Sequence, residues 1–163
     1  RCGALDAGVV LHLLQQHHLS PAAIEHMLYN ESGLKGISGI SNNMQVLTTS
    51  THPHAQQAID LFCYRAAREL SSLVCAIDGI DAIVFTAGIG EHSALVRERI
   101  CGHLGWLGVA LDPIANQHHH SVISPVKCPI TTLVIPTDEE SVIAQSTLAL
   151  MYDSTDSKEI HHA

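Results

Sequence analysis

Ala82-Ile83-Val84-Phe85-Thr86-Ala87-Gly88-Ile89-Gly90-Glu91-His92-Ser93 is the stretch that decides the fold. Its first five residues form a short, continuous apolar run rich in β-branched side chains. Such a run, without polar alternation, predicts a strand buried on both faces, as in a parallel sheet. Two glycines follow, and then a helical pattern from His92 or Ser93 to about Leu104. Glycine frees the backbone to take unusual φ angles and to approach a ligand closely. A helix start presents unpaired N–H groups and a positive dipole end, which suit phosphate or ribose. A tight turn that simply requires glycine fits the same residues, and a GxG pair alone does not separate the two readings.

Thr131-Thr132-Leu133-Val134-Ile135 repeats the arrangement. This second buried strand leads into Pro136-Thr137-Asp138-Glu139-Glu140, which opens a helix predicted over about Glu139 to Leu150. Strand followed by helix, twice, predicts an α/β domain with parallel pairing. Ligands of open α/β sheets sit at the carboxyl ends of the strands, where both turns lie. A carboxylate in the acidic turn can hold Mg²⁺ directly or through water. Thr137-x-x-Glu140 also reads as a capping box, leaving Glu139 free. Two strands are too few for a stable sheet covered on both faces. The remaining strands are expected before Arg1, and the chain is expected to be a portion of something longer.

Helices are predicted around this frame. A long amphipathic helix spans about Pro53 to Ile77, with Ala58, Leu61, Phe62, the Arg65 stem, Leu70, Leu73 and Val74 as its apolar positions. Asp78-Gly79-Ile80-Asp81 ends it. Ser20-Pro21 caps and opens a helix running to about Asn30, and Leu5 to Gln16 keeps helical spacing. Asn30 to Gly36 reads as a loop, as does the polar stretch Thr48 to His54. Glycine at every third position from Gly33 to Gly39 suggests a compact loop, either ligand-facing or a plain surface connection. Arg1, ahead of Gly3, has a planar fork able to clamp a carboxylate or phosphoryl group, but local sequence equally reads as a solvated terminal arginine. The segment after Tyr152, residues 153–163, is polar and expected to be disordered.

Composition narrows the partners. Of 163 residues, 46% are hydrophobic and 15% charged, a balance that supports a packed core. The net charge is −8 and no Lys/Arg cluster occurs, which argues against nucleic acid or an anionic membrane as the main partner. The five cysteines are widely spaced with no CxxC, so neither a disulfide framework nor a zinc ribbon is expected, and reduced thiols in a cytoplasmic protein are. Most of the thirteen histidines sit in polar, loop-like stretches and read as solvated side chains rather than metal ligands.

Taken together and in order, four segments resemble the acetate kinase family, which includes propionate and butyrate kinases. They are RCGALDAG at Arg1, SGLKGISGISNNMQ at Ser32, FTAGIGEHS at Phe85 and VIPTDEES at Val134. The resemblance covers about Arg1 to Tyr152. It implies the actin-like ATPase (ribonuclease H-like) architecture shared with hexokinase, with residues 1–152 as the C-terminal nucleotide-binding portion. It implies reversible phosphoryl transfer from ATP to acetate, giving acetyl phosphate and ADP, with Mg²⁺, in a cytoplasmic homodimer. It implies Arg1 as the catalytic arginine and Glu139 as the metal-associated carboxylate. It implies that Gly88, Ile89, Gly90, Glu91 and His92 hold the adenosine part of ATP and that Asn43, Met44 and Gln45 pack on the adenine. Further catalytic residues are implied upstream, so the chain alone is expected to be inactive.

The chain departs from the family pattern at several positions. His92 replaces an Asn, Asn43-Met44-Gln45 replaces an Asp-x-Arg, Ala4 and Ala7 replace Asp and Pro, and Asp138 replaces an Asn. Loss of an arginine able to stack on the base removes a contact worth roughly 0.5–2 kcal/mol. A non-catalytic nucleotide-binding or dimerisation module is the alternative function, and acyl-chain choice rests on residues outside this chain.

Overall fold

A computed structural model describes residues 1–156; the side chains of residues 139, 149 and 151–156 are not among those described. Of the tail expected to be disordered, residues 153–156 are instead the end of the last helix, and residues 157–163 lie outside the described residues. The two strands are β1 (Ala82–Phe85) and β2 (Thr131–Val134). They pair in parallel with Ala82 opposite Thr131 and Phe85 opposite Val134, as the apolar runs predict, but β1 is not buried on both faces: Ala82 and Val84 are exposed, Val84 by 50%. The far edge of β2 is also occupied: Ile123 N donates to Thr132 O at 2.9 Å and Val134 N to Ser121 O at 3.0 Å. β2 is therefore paired on both sides.

The helix α5 (Pro53–Ala76) is the spine. His52 Nδ1 accepts from His54 N at its start, and Pro53 occupies the first turn, where its missing N–H costs nothing. Its buried residues are Ala55, Ala58, Ile59, Cys63, Ala67 and Val74. The expected face holds at Ala58 and Val74, with Phe62 and Leu70 packed against the core, and fails at two positions. Leu61 and Leu73 are exposed, the latter by 65%, while Ala55, Ile59, Cys63 and Ala67, at four-residue spacing, form the buried stripe with Ala58 beside it. Small side chains let neighbours approach closely, and α3 (Gly33–Ser38), α4 (Met44–Thr49) and α7 (Ala94–Gly102) pack along α5. Leu47, Ile59 and Leu104, all fully buried, anchor the core these helices share. Truncating any one to alanine costs about 2–5 kcal/mol.

At the N-terminal end, α1 (Ala7–Gln15) starts at Asp6, whose Oδ1 accepts from Gly8 N at 2.6 Å. α2 (Pro21–Asn30) starts at Ser20, whose Oγ accepts from Ala23 N. None of α1 is buried, so its apolar residues do not contribute to this core.

Three expectations are corrected. The stretch from Gly33 is a helix rather than a loop, and Gly39 stops it in the left-handed region at φ 66°. The glycine turn after β1 is itself a short helix, α6 (Ala87–His92), so the expected single helix is two. Ser93 separates them, its Oγ accepting from Val96 N to cap α7. The last helix, α9 (Glu139–Asp156), runs further than the pattern indicates. A 3₁₀ turn (Gly105–Leu107) and α8 (Pro113–Gln117), capped by Asp112, complete the described chain.

Candidate functional site

Parallel pairing brings the carboxyl ends of β1 and β2 side by side. Ile135 N donates to Phe85 O at 2.9 Å, extending the pairing by one residue. Beyond that point the glycine segment and the acidic turn are tied together. Glu91 Oε1 accepts from Thr137 N at 2.9 Å and from Thr137 Oγ1 at 3.0 Å. The Thr137 backbone N–H is the main reason the Glu91 carboxyl titrates below its ordinary value; the Thr137 hydroxyl and the Ala87 N–H add to it. The expected capping box at Thr137 and Glu140 is therefore not formed. Thr137 turns to Glu91, and Asp138 caps α9 instead, its Oδ1 accepting from Ser141 N at 2.9 Å. Glu91, expected among the nucleotide-holding residues, has its carboxylate committed to this tie.

The rest of the glycine segment divides by environment. Ala87 takes a left-handed φ of 57°, which swings α6 back over the strand end. A Cβ on Gly90 would sit 3.3 Å from the Phe85 carbonyl carbon, so close packing on β1 favours glycine there. A Cβ on Gly88 would meet nothing within 4 Å, so no internal contact accounts for glycine at that position. Ile89 packs against the core, and His92 is exposed.

Arg97, on α7, escaped the sequence reading. It is fully buried. Its Nη1 donates to Gly90 O at 2.8 Å and Glu91 O at 2.9 Å, two carbonyls of the last turn of α6. Its Nε donates to Asn116 Oδ1 at 2.8 Å, and its Nη2 to Asn116 O at 2.7 Å and His119 Nδ1 at 3.0 Å. Asn116 is itself buried and donates from Nδ2 to Ala94 O. The available signal was an arginine inside the otherwise apolar triad Val96, Ile100 and Cys101 of one helix.

A second group of expected residues gathers around the N-terminus. Arg1, Ser32, Gly33, Asn42, Phe62 and Arg65 line a cavity of about 710 Å³. The Arg1 guanidinium lies over the Tyr29 ring at 5.3 Å, within cation–π range. Cys2 N donates to Leu28 O at 3.0 Å and fixes this end to α2. Gly33, at φ 61°, lies so close that a Cβ would fall on the Arg1 carbonyl. The structure thus brings the first and second motifs together, as it does the third and fourth. No residue from Gly88 to His92 lines this cavity, so the two pairs form separate groups in this chain.

Asn43, Met44 and Gln45 serve mainly to start α4. Asn43 Oδ1 accepts from Gln45 N at 2.8 Å, and Met44 is buried in the core, so Met44 is not available to lie on a base. The Gln45 side chain is exposed.

The acidic turn is where the sequence leads one to expect a metal-associated carboxylate. Among the described residues no three His, Cys, Asp or Glu side chains converge on a common point. Mg²⁺ asks for less, since it keeps several waters and takes only one or two carboxylates beside substrate phosphates. Glu91 and Asp138 are engaged elsewhere. The Glu139 side chain lies outside those described, and its backbone places it at the first residue of α9. No helix of the described residues is long and apolar enough to cross a membrane.

Comparison with known proteins gives this arrangement its family. Residues 1–145 match the acetokinase family model. The chain is 51% identical over 147 residues to acetate kinase of Rhodopseudomonas palustris (strain TIE-1), covering 89% of this chain and 37% of that protein. It is 48% identical over 161 residues to acetate kinase of Nitrobacter hamburgensis, covering 99% of this chain and 40% of that protein. Among solved structures, Porphyromonas gingivalis acetate kinase superposes with a TM-score of 0.83 at 30% identity, over 93% of this chain and 39% of that one. A propionate kinase from Francisella tularensis superposes with a TM-score of 0.82 at 32% identity, over 89% of this chain and 38% of that one. The chain thus spans well under half the length of the relatives it matches, and over most of its own length it belongs to the acetokinase family.

Proposed function

We propose that this chain forms the C-terminal part of an acetate kinase, which transfers the γ-phosphoryl group of ATP reversibly to acetate. In the forward direction a carboxylate oxygen of acetate bonds to the γ-phosphorus. The bond from that phosphorus to the β,γ-bridging oxygen breaks, and ADP leaves with the electron pair. No protein nucleophile is needed; the work is positioning and charge stabilisation. The observation that carries the reading is the meeting of glycine segment and acidic turn at two parallel strand ends, joined through Glu91 and Thr137.

Under this reading, Gly88 to His92 hold the adenosine part of ATP, with Gly88 and His92 as the contact residues and Glu91 as the brace. Gln45 offers its exposed amide to the base. Arg1 stabilises the transferring phosphoryl group or orients the carboxylate with its planar fork. Glu139 would hold Mg²⁺, which neutralises charge on the phosphate oxygens when bound. Preceding residues of the same polypeptide complete the site, and the assembly is a cytoplasmic homodimer. Propionate is the competing acceptor, because a propionate kinase superposes about as well as an acetate kinase.

The test is acyl phosphate formation by the full-length protein from MgATP with acetate, propionate and butyrate, trapped with hydroxylamine. Preference for acetate supports the reading. Preference for propionate or butyrate replaces the acceptor and keeps the chemistry. A folded protein that makes no acyl phosphate but binds ATP points to the non-catalytic module.

A further inference from the structure

We propose that Arg97 is a positioning residue that sets the shape of the nucleotide-holding segment from beneath. This inference rests on the reading of Gly88–His92 given above. A guanidinium carries five N–H donors and no acceptor. All five find partners here: two on Asn116, one on His119 and two on the carbonyls of Gly90 and Glu91. A charge taken out of water is tolerated only when it is fully hydrogen-bonded or paired. None of these five acceptors is a carboxylate. Burial accordingly pulls the Arg97 guanidinium below its ordinary pKa.

The choice of acceptors is what makes the residue more than core support. The last carbonyls of any helix lack intrahelical partners. In α6, Ser93 N satisfies Ile89 O, while Arg97 satisfies Gly90 O and Glu91 O. A cation at a helix C-terminus is also favoured by the dipole. Arg97 therefore clamps the C-terminal turn of a six-residue helix that has no side-chain cap at Thr86 and starts from a left-handed alanine. Such a helix is too short to hold its own shape. Three fastenings hold it: Gly90 against Phe85, the Glu91 carboxylate on Thr137, and Arg97 under both carbonyls. Arg97 ties it to Asn116 of α8 and to His119 just beyond that helix. Because arginine cannot accept, His119 Nδ1 must present its lone pair, leaving the ring proton on Nε2. Its backbone, at φ 54°, holds it there.

Arg97→Lys keeps the charge but cannot span five acceptors with one ammonium. In the full-length protein it is expected to stay folded and to speed amide exchange across Gly88–His92 while leaving α5 protected. It should raise the KM for ATP about tenfold, with the KM for acetate within twofold and kcat within about threefold. His119→Asn, which disturbs one contact of the five, should shift the same quantities in the same direction by less. A folded Arg97→Lys with unchanged exchange at Gly88–His92 and unchanged KM for ATP would overturn the proposal, as would KM for both substrates and kcat worsening together. If Arg97→Lys fails to fold, His119→Asn decides on the same readouts. A wild-type protein that binds no ADP would sink the nucleotide reading itself; the exchange pattern in the variants then decides the clamp by itself.

Discussion

Glu91 and Thr137, 46 positions apart in sequence, are joined by two hydrogen bonds to a single carboxylate oxygen, at 2.9 Å from the backbone N–H and 3.0 Å from the hydroxyl. The backbone bond survives any substitution except proline, but the hydroxyl bond does not. Thr137→Val removes it with nearly the same shape. We expect the full-length variant to keep its fold and to raise the KM for ATP by about two- to fivefold, measured by steady-state kinetics at saturating acetate. Glu91→Gln should do more, because its neutral amide oxygen accepts both bonds more weakly than an ionised one.

The same pair carries a pH dependence. Glu91 titrates below its ordinary value because the Thr137 N–H, and after it the other donors, favour the charged form. A depressed folded-state pKa contributes stability above the unfolded value, and that contribution fades as pH falls through the folded one. The difference in Tm between wild type and Glu91→Gln is therefore expected to be present at pH 7 and to shrink on acidification through the carboxylate range. A difference that stays constant down to pH 3 would remove the tie as its cause.

Two thiols act in the opposite direction. Burial pushes Cys101 from an ordinary 9.0 up to about 12 and Cys63 up to about 11. Unfolding in that window releases protons, so stability is full below pH 9 and declines as pH rises towards the folded values. Each group contributes a slope of at most about 1.4 kcal/mol per pH unit. Alkaline urea titrations of wild type, Cys63→Ala and Cys101→Ala check this. Each variant should lose stability at pH 7 from its cavity yet show a flatter decline above pH 9.

How much of this was legible in the chain follows from what each signal encodes. The strands announced themselves because continuous β-branched runs have no other economical use in so short a space. The start of α5 was legible for a similarly local reason: His52-Pro53 closes off the preceding turn and permits the next. The buried face of α5 was legible only in part: Ala58 and Val74 lie on it as expected, but Leu61, the more hydrophobic residue, is exposed while Ala55, Cys63 and Ala67 lie on the buried side. Which side is covered is a fact about neighbours. The helix at Gly33 was misread for the opposite reason: three glycines argue for a loop by propensity, whereas Gly33 is required for contact with Arg1 and Gly39 for a left-handed stop. The partners of Arg97 were not legible, because its five acceptors come from two separate stretches, residues 90–91 and 116–119.

Thr132 offers a prediction with an unusual sign. It is fully buried on β2, and its hydroxyl is the one buried side-chain oxygen or nitrogen without a hydrogen-bond partner among the described residues. An unmade buried hydrogen bond costs about 1–3 kcal/mol. Thr132→Val replaces the hydroxyl by a methyl of similar size and removes that cost. The variant is expected to match or exceed wild-type stability in urea, whereas most substitutions at a fully buried site destabilise. A loss above about 1 kcal/mol would mean that the hydroxyl is satisfied in the folded protein, most simply by an ordered water.

Gly33 and Arg1 give the sharpest test of the proposed chemistry. The Arg1 side chain is exposed at one wall of the cavity, so its removal should disturb folding little. If it stabilises the transferring phosphoryl group, Arg1→Ala in the full-length protein should lower kcat on the order of 10³–10⁵-fold, by analogy with other arginines in that role. The ADP dissociation constant should stay within about threefold. Gly33→Ala leaves every charged group in place but sets a methyl against the Arg1 carbonyl, at a φ that L side chains avoid at a cost of roughly 1–2 kcal/mol. The N-terminal turn must shift to admit it, and a 1 Å misplacement of a catalytic group can cost about 10² in rate. Gly33→Ala should therefore lower kcat while nucleotide binding survives, reproducing Arg1→Ala in kind though not in size. Were Gly33→Ala to weaken ADP binding instead, the cavity at Arg1 would belong to the nucleotide rather than to the acceptor.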